Sequence, residues 1–93
     1  MSGHAEVVKL VGAINAALDS LSVGNARQAV LALYEVLPIF DDSRYAANQE
    51  VWQLHAPFLS AATLAAAKSG QDGGLALQLC AKAVRLQLNR IRP

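Results

Sequence analysis

Few side chains in this sequence could do chemistry, and their spacing favours none of the common reactions. They are His4, His55, Cys80 and the adjacent acids Asp41 and Asp42. A protein zinc site commonly draws paired ligands from one short motif, such as two cysteines separated by two residues or two histidines separated by three. The sequence contains neither motif. We therefore expect no metal site and no catalytic residues.

The sequence also lacks a phosphate-binding or dinucleotide-binding loop. Its glycine-rich stretch covers residues 70–74, with no predicted strand before it and no Lys-Ser or Lys-Thr pair after it. We therefore expect no cofactor and no enzymatic activity. Cys80 is the only cysteine, so it forms no intrachain disulfide. It lies in an apolar helical run, where a free cysteine usually packs as a small hydrophobic residue.

The composition is unusually apolar for a chain of this length. Hydrophobic residues make up 54% of the 93 positions and charged residues 16%, against about 45–50% and about 25% in typical soluble domains. A domain this short buries only about 60–65% of the surface that its unfolded chain exposes. Part of the apolar surface must therefore face water or a partner, and this excess favours a protein that binds another protein and itself.

Charge is nearly balanced overall but unevenly distributed along the chain. The net charge is +1, too small to attract nucleic acid or an anionic membrane strongly. Residues 1–50 hold six acids and three bases, whereas residues 51–93 hold one acid and five bases. A candidate basic patch near the C-terminus comprises Lys82, Arg85, Arg90 and Arg92. Four bases are a small phosphate-binding surface, so nucleic acid is an alternative partner and not the expected one.

No run of about 18 apolar residues that could span a bilayer occurs in the sequence. Residues 1–6 lack the basic segment and following apolar run that are typical of a signal peptide. A single cysteine also fits a reducing compartment. We therefore expect a cytoplasmic protein that does not enter a membrane.

Apolar residues recur every three or four positions, and this period predicts an all-α chain of amphipathic helices. The predicted helices cover residues 5–21, 26–37, 44–68 and 74–90. Capping and turn signals separate them, namely Asn25, Pro38, the acidic stretch 41–43 and the glycine-rich stretch 69–74. No alternation of polar and apolar residues long enough for a strand occurs.

Two prolines affect the predicted helix boundaries. Pro38 should end or kink the second helix at Leu37, because proline lacks a backbone N–H and disfavours helical geometry in the preceding residue. Pro57 either kinks one long third helix or begins a separate one, and we favour the kinked helix because no loop residues flank it. The prediction is one domain over residues 1–93: a small antiparallel four-helix bundle, kinked or split at Pro57, that forms a dimer.

The last predicted helix is apolar around most of its circumference, which indicates that it is covered on more than one side. Tyr45 and Trp52 lie two helical turns apart, and aromatic residues are enriched at interface hot spots. The interior of the bundle is the alternative location for these aromatic side chains. The candidate partner or dimer interface comprises Tyr45, Trp52, His55, Leu59, Leu79, Leu86 and Ile91.

These features together favour a small cytoplasmic protein-interaction module, an adaptor or regulator that masks a hydrophobic surface on a partner and acts as a homodimer. Two alternatives remain. A nucleic-acid-binding regulator would use the basic C-terminal helix. A carrier of a small apolar ligand would need a sealed cavity beside Trp52, of the kind that alanine-lined helices can leave.

Overall fold

The structure, a computed structural model, describes residues 3–91 of the chain apart from the side chains of residues 72 and 91. This part of the chain is helical and contains no strand, which confirms the all-α prediction. Two 3₁₀ turns, Ser43–Tyr45 and Gly70–Asp72, precede the third and fifth α-helices. The α-helices are α1 (His4–Ser22), α2 (Ala26–Asp41), α3 (Gln49–Trp52), α4 (His55–Lys68) and α5 (Gly73–Ile91).

Local sequence signals set the turn between α1 and α2. Gly24 adopts a φ of 79°, a left-handed conformation that glycine enters without the strain of a Cβ atom. The backbone N–H of Asn25 donates to the carbonyl of Ser20 at 2.8 Å. The Asn25 side chain then caps α2 by accepting a hydrogen bond from the backbone N–H of Gln28 at 3.1 Å. The predicted start of the second helix at Ala26 is therefore confirmed.

Helix α2 passes through Pro38 and continues to Asp41. It therefore does not end at Leu37, which was one of the two predicted effects of Pro38; a kink at that residue stays a prediction. Leu37 and Phe40 on either side of the proline are 8% and 4% exposed. We attribute the extra turn to this burial, because packing of these two side chains stabilises helical backbone that proline alone would disfavour.

The segment predicted as one long helix over residues 44–68 is divided. A 3₁₀ turn, the single-turn helix α3 and the longer helix α4 follow one another, and the break between α3 and α4 lies at Gln53 and Leu54. The favoured prediction, a kink at Pro57, is therefore wrong. Pro57 is the third residue of α4, where it removes no helical hydrogen bond because first-turn N–H groups have no partner within the helix.

Helices α2 and α4 occupy the centre of the fold. Each of them packs against the other and against both α1 and α5. Their shared interior includes Leu10, Leu33, Phe58 and Leu79, one from each long helix, and all four are fully buried. The molecule measures 37 × 25 × 16 Å, and its thin dimension corresponds to two layers of helices.

Two leucines of α2 provide a matched test of this packing. Leu33 is fully buried, whereas Leu31 is 45% exposed. We expect Leu33→Ala to lower the free energy of unfolding by about 2–5 kcal/mol, because it leaves a cavity in the shared interior. Leu31→Ala should cost less than about 1 kcal/mol. Urea denaturation followed by circular dichroism measures both values, and equal losses would contradict the described orientation of α2.

Candidate functional site

Four rings form an interior cluster where α2, α3 and α4 meet. The Phe40 ring lies 5.1 Å from the Trp52 ring, 5.2 Å from His55 and 5.3 Å from Phe58, measured between centroids. The rings of Trp52 and His55 are stacked, with centroids 5.4 Å apart. These separations lie within the range of stabilising aromatic pairs. The cluster therefore fastens the end of α2 to the start of α4.

Both polar rings of this cluster are bonded to backbone carbonyls. The indole N–H of Trp52 donates to the carbonyl of Tyr45 at 3.0 Å. Nε2 of His55 lies 2.8 Å from the carbonyl oxygen of Ala83. Because a carbonyl only accepts, we assign the proton of His55 to Nε2. His55 is 2% exposed, so its ring is a buried connection between α4 and α5 rather than a group exposed to a substrate.

Arg90 and Asp42, which lie beside the ring cluster, are also bonded to other residues of the chain. The guanidinium of Arg90 lies 4.9 Å from the centroid of the Trp52 ring, and its Nε donates to the carbonyl of Ala46 at 3.3 Å. Asp42 accepts hydrogen bonds from the side chain and backbone of Arg44, which hold the pKa of its carboxyl below the ordinary value. Asp42 is therefore poorly suited to act as a general acid near neutral pH.

Most residues of the predicted interface lie inside the protomer. Tyr45, Trp52 and His55 are buried and Leu79 is fully buried. The predicted line of aromatic residues is not one helical face, because Tyr45 lies in a 3₁₀ turn, Trp52 in α3 and His55 in α4. Phe40 of α2 covers the rings of Trp52 and His55, and α5 contacts the same two rings through Arg90 and the Ala83 carbonyl. Helical periodicity identifies an apolar face but does not say which chain covers it. Of the other predicted interface residues, Leu59 and Leu86 are half-buried, and the side chain of Ile91 lies outside the description.

The described residues of the predicted basic patch line two adjoining grooves. Lys82 and Arg85 line a groove between α2 and α5 that also contains Asp41. Arg90 lies over the Trp52 ring and lines the next groove. The two grooves share Asp41, Leu86 and Asn89, so a carboxylate lies among these bases. Arg92 is outside the described residues.

The described residues also give findings on metal binding and on membrane crossing. Among residues 3–91, apart from the two side chains left out, no group of three or more His, Cys, Asp or Glu could hold a metal ion. In the same part of the chain, no helix is both long and apolar enough to cross a membrane. The groove beside Trp52 has a volume of about 180 Å³ and is lined by Asp42 and Arg90, so it is not a sealed apolar cavity.

A shallow groove along the outer surface of α4 contains no charged side chain. Its volume is about 600 Å³. We call it the α4 groove. Its lining residues are His55, Ala56, Leu59, Ser60, Thr63, Leu64 and Ala67 of α4 and Gln87 of α5. Small residues keep it shallow, and Leu64, which is 40% exposed, supplies a large apolar contact.

An exposed apolar row runs along α5 beside this groove. We call this row the α5 stripe; it comprises Leu77, Ala81, Val84 and Leu88. Spacings of four, three and four residues place them on one face of a helix. Leu77 is 62% exposed, Val84 40% and Leu88 54%. At about 100° per residue, the α5 stripe lies between Gln87, which borders the α4 groove, and the polar face that carries Lys82 and Arg85.

Charged side chains line both grooves beside α2. Lys9 and Glu35 line the groove between α1 and α2, and Asp41 lies with Lys82 and Arg85 in the groove between α2 and α5. By contrast, the α4 groove and the α5 stripe contain no charged residue.

We call these two surfaces, the α4 groove and the α5 stripe, together the uncharged side; Lys68, one helical turn after Leu64, and Arg85 lie at its edges. The sequence analysis did not identify this side, because it treated the apolar residues of α5 as one set. In the structure, the α5 stripe is exposed, whereas Ala76, Leu79 and Ala83 are buried.

The two histidines allow the structural role of His55 to be measured. His55→Leu removes the hydrogen bond to the Ala83 carbonyl and the stacking on Trp52, so we expect a loss of about 2–3 kcal/mol in the free energy of unfolding. His4 is exposed on α1, and His4→Leu should change the free energy of unfolding by less than about 0.5 kcal/mol. Urea denaturation at neutral pH provides both values. Similar values for the two variants would mean that the ring cluster does not fasten α4 to α5.

Comparison of this chain with models of known protein families, with curated proteins and with solved structures gives no match. Its function must therefore be inferred from its own surface. That surface carries the α4 groove and the α5 stripe, neither of which contains a charged residue; further exposed apolar residues on α1 and α2 are Val8, Val11, Leu18 and Leu31.

Proposed function

We propose that this chain is a helical protein-interaction module, an adaptor or regulator that covers a hydrophobic surface on a partner protein. Its long helices would form an antiparallel bundle that acts as a homodimer. We place it in the cytoplasm, where its single thiol, Cys80, would remain reduced. The observation that supports the proposal is the uncharged side formed by the α4 groove and the α5 stripe.

The exposed apolar side chains on this side give a measure of the driving force. Full burial of a leucine or valine contributes about 1.5–3 kcal/mol relative to full exposure. Leu64, Leu77, Val84 and Leu88 are between 40% and 62% exposed. Covering all four would therefore contribute on the order of 4 kcal/mol per protomer. That amount is large compared with the contribution of a typical surface ion pair, which is about 0–1 kcal/mol.

The molecule is large enough to provide an interface of ordinary area. A broad face of 37 × 25 Å has a projected area of roughly 900 Å², close to the area of about 800 Å² that each partner contributes to a standard complex. A partner that fits the α4 groove is an amphipathic helix, which would place its apolar residues against Leu64 and the small residues beside it. Alanines at positions 56 and 67 allow the partner helix to approach closely.

Leu64 and Leu31 provide a matched test, because they are 40% and 45% exposed and only Leu64 lines the α4 groove. We expect Leu64→Glu to weaken binding of the partner roughly tenfold or more, since a carboxylate would be desolvated in an apolar contact. Leu31→Glu should bind as the wild type does. The partner is first captured by photo-crosslinking from a side chain in the α4 groove in the native cell, and is then purified for calorimetric titration.

Circular dichroism and thermal unfolding of both variants serve as the folding control. Equal binding of wild type, Leu64→Glu and Leu31→Glu to the captured protein would contradict the assignment of the α4 groove as the partner site. Failure of the crosslinker to capture any protein above the level seen from a position on α2 would contradict the proposed function.

A further inference from the structure

We propose that one end of the α4 groove recognises an uncharged hydrogen-bond donor on the partner helix, a hydroxyl or carboxamide side chain, through His55 and Gln87. This inference rests on the proposed function and specifies the chemistry of the partner. Three observations support it: the position of the proton on the His55 ring, the location of the second ring nitrogen and the position of Gln87 on α5.

The His55 ring has one nitrogen that no described residue of the protomer bonds. Nε2 lies 2.8 Å from the carbonyl oxygen of Ala83, which places a proton on Nε2 because a carbonyl only accepts. In a neutral imidazole with this proton, Nδ1 carries a lone pair and accepts a hydrogen bond. Within residues 3–91, no hydrogen bond to Nδ1 is formed.

This second nitrogen reaches the surface of the protomer. Across the described residues, every side-chain nitrogen or oxygen that is fully removed from solvent has a hydrogen-bond partner. Nδ1 of His55 has none, so part of it must be accessible, although the residue as a whole is only 2% exposed. His55 lines the α4 groove. We therefore place Nδ1 at the floor of this groove, where an atom of a bound partner can reach it.

Gln87 of α5 lies beside the same ring. The Ala83 carbonyl, which accepts the hydrogen bond from His55, is also the helical acceptor for the backbone N–H of Gln87 four residues later. The Gln87 side chain is exposed and lines the α4 groove, and its carboxamide can both donate and accept. His55 and Gln87 therefore form a hydrogen-bonding end of the groove, which we call the His55 end.

The chemistry of the groove selects an uncharged donor. A partner helix in the groove covers Nδ1, and an acceptor that is covered without a donor weakens the complex. A lysine or arginine of the partner could donate to Nδ1, but the lining of the groove contains no carboxylate to pair with its charge. A carboxylate of the partner would face the lone pair of Nδ1 and be repelled. A serine, threonine, asparagine or glutamine of the partner donates at neither cost.

Nitrogen NMR of the isotope-labelled chain tests the contact at His55, because the resonance of an imidazole nitrogen moves when the nitrogen accepts a hydrogen bond. In the free chain, we expect the proton on Nε2 and none on Nδ1. Addition of the captured partner should move the Nδ1 resonance towards that of a protonated nitrogen, while the Nε2 proton stays in place. His4, which is exposed on α1, serves as the control and should not shift. This measurement uses the wild-type chain and needs no variant to fold.

Two glutamines of α5 provide a matched pair of variants. Gln87 and Gln78 are both exposed, and of the two only Gln87 lines the α4 groove. We expect Gln87→Leu to weaken binding of the captured partner roughly three- to tenfold, because one hydrogen bond is lost. Gln78→Leu should bind as the wild type does. Calorimetric titration measures the affinities, and circular dichroism serves as the folding control.

The outcomes separate this inference from the proposed function. A shift of Nδ1 together with weaker binding of Gln87→Leu alone would support the inference. Unchanged Nδ1 in a complex that Leu64→Glu still weakens would overturn it, while the α4 groove would remain the partner site. Protons on both ring nitrogens in the complex would indicate a carboxylate on the partner and would overturn the uncharged donor. If no protein is captured from the α4 groove, the proposed function and this inference are both overturned.

Discussion

The rotation of α5 about its own axis determines what the molecule presents to its surroundings. Two contacts fix this rotation. One is the hydrogen bond of 2.8 Å from the His55 ring to the Ala83 carbonyl. The other is the burial of Ala76, Leu79 and Ala83 against the shared interior. A rotation of about 140° would exchange the buried face for the α5 stripe. It would also break the bond to His55 and leave a buried ring nitrogen without a partner, at a cost of about 1–3 kcal/mol. The exposed position of the stripe is thus coupled to the ring cluster at the start of α4.

The distribution of charge follows from the same arrangement. With α5 held in this rotation, Lys82 and Arg85 line the groove on the α2 side, where Asp41 also lies. Helix α4 has no charged residue before Lys68, so most of its outer surface can be covered without desolvating an ion.

Much of this fold is predictable from the sequence, because helical period and caps act locally. Asn25 and Gly24 mark the turn between α1 and α2 as expected. The continuation of α2 through Pro38 and the break at Gln53 are not predictable in that way, since both depend on burial by residues distant in the chain. The aromatic residues were assigned to an interface for the same reason: the sequence shows that Trp52 and His55 share an apolar face, but only the packing of Phe40 against them shows that it is internal.

The centre of the α5 stripe consists of alanine and valine rather than two leucines, and this limits the strength of a dimer formed through it. The three large side chains of the stripe are about half exposed. Symmetry doubles their contribution, so covering them in both copies gives on the order of 7 kcal/mol. Association costs roughly 4–15 kcal/mol in lost translational and rotational freedom. The stripe alone would therefore support at most a weak and reversible homodimer, and a tighter one would require that part of the neighbouring α4 surface also be covered. A homodimer of this kind would separate on dilution, while each protomer would keep its own interior.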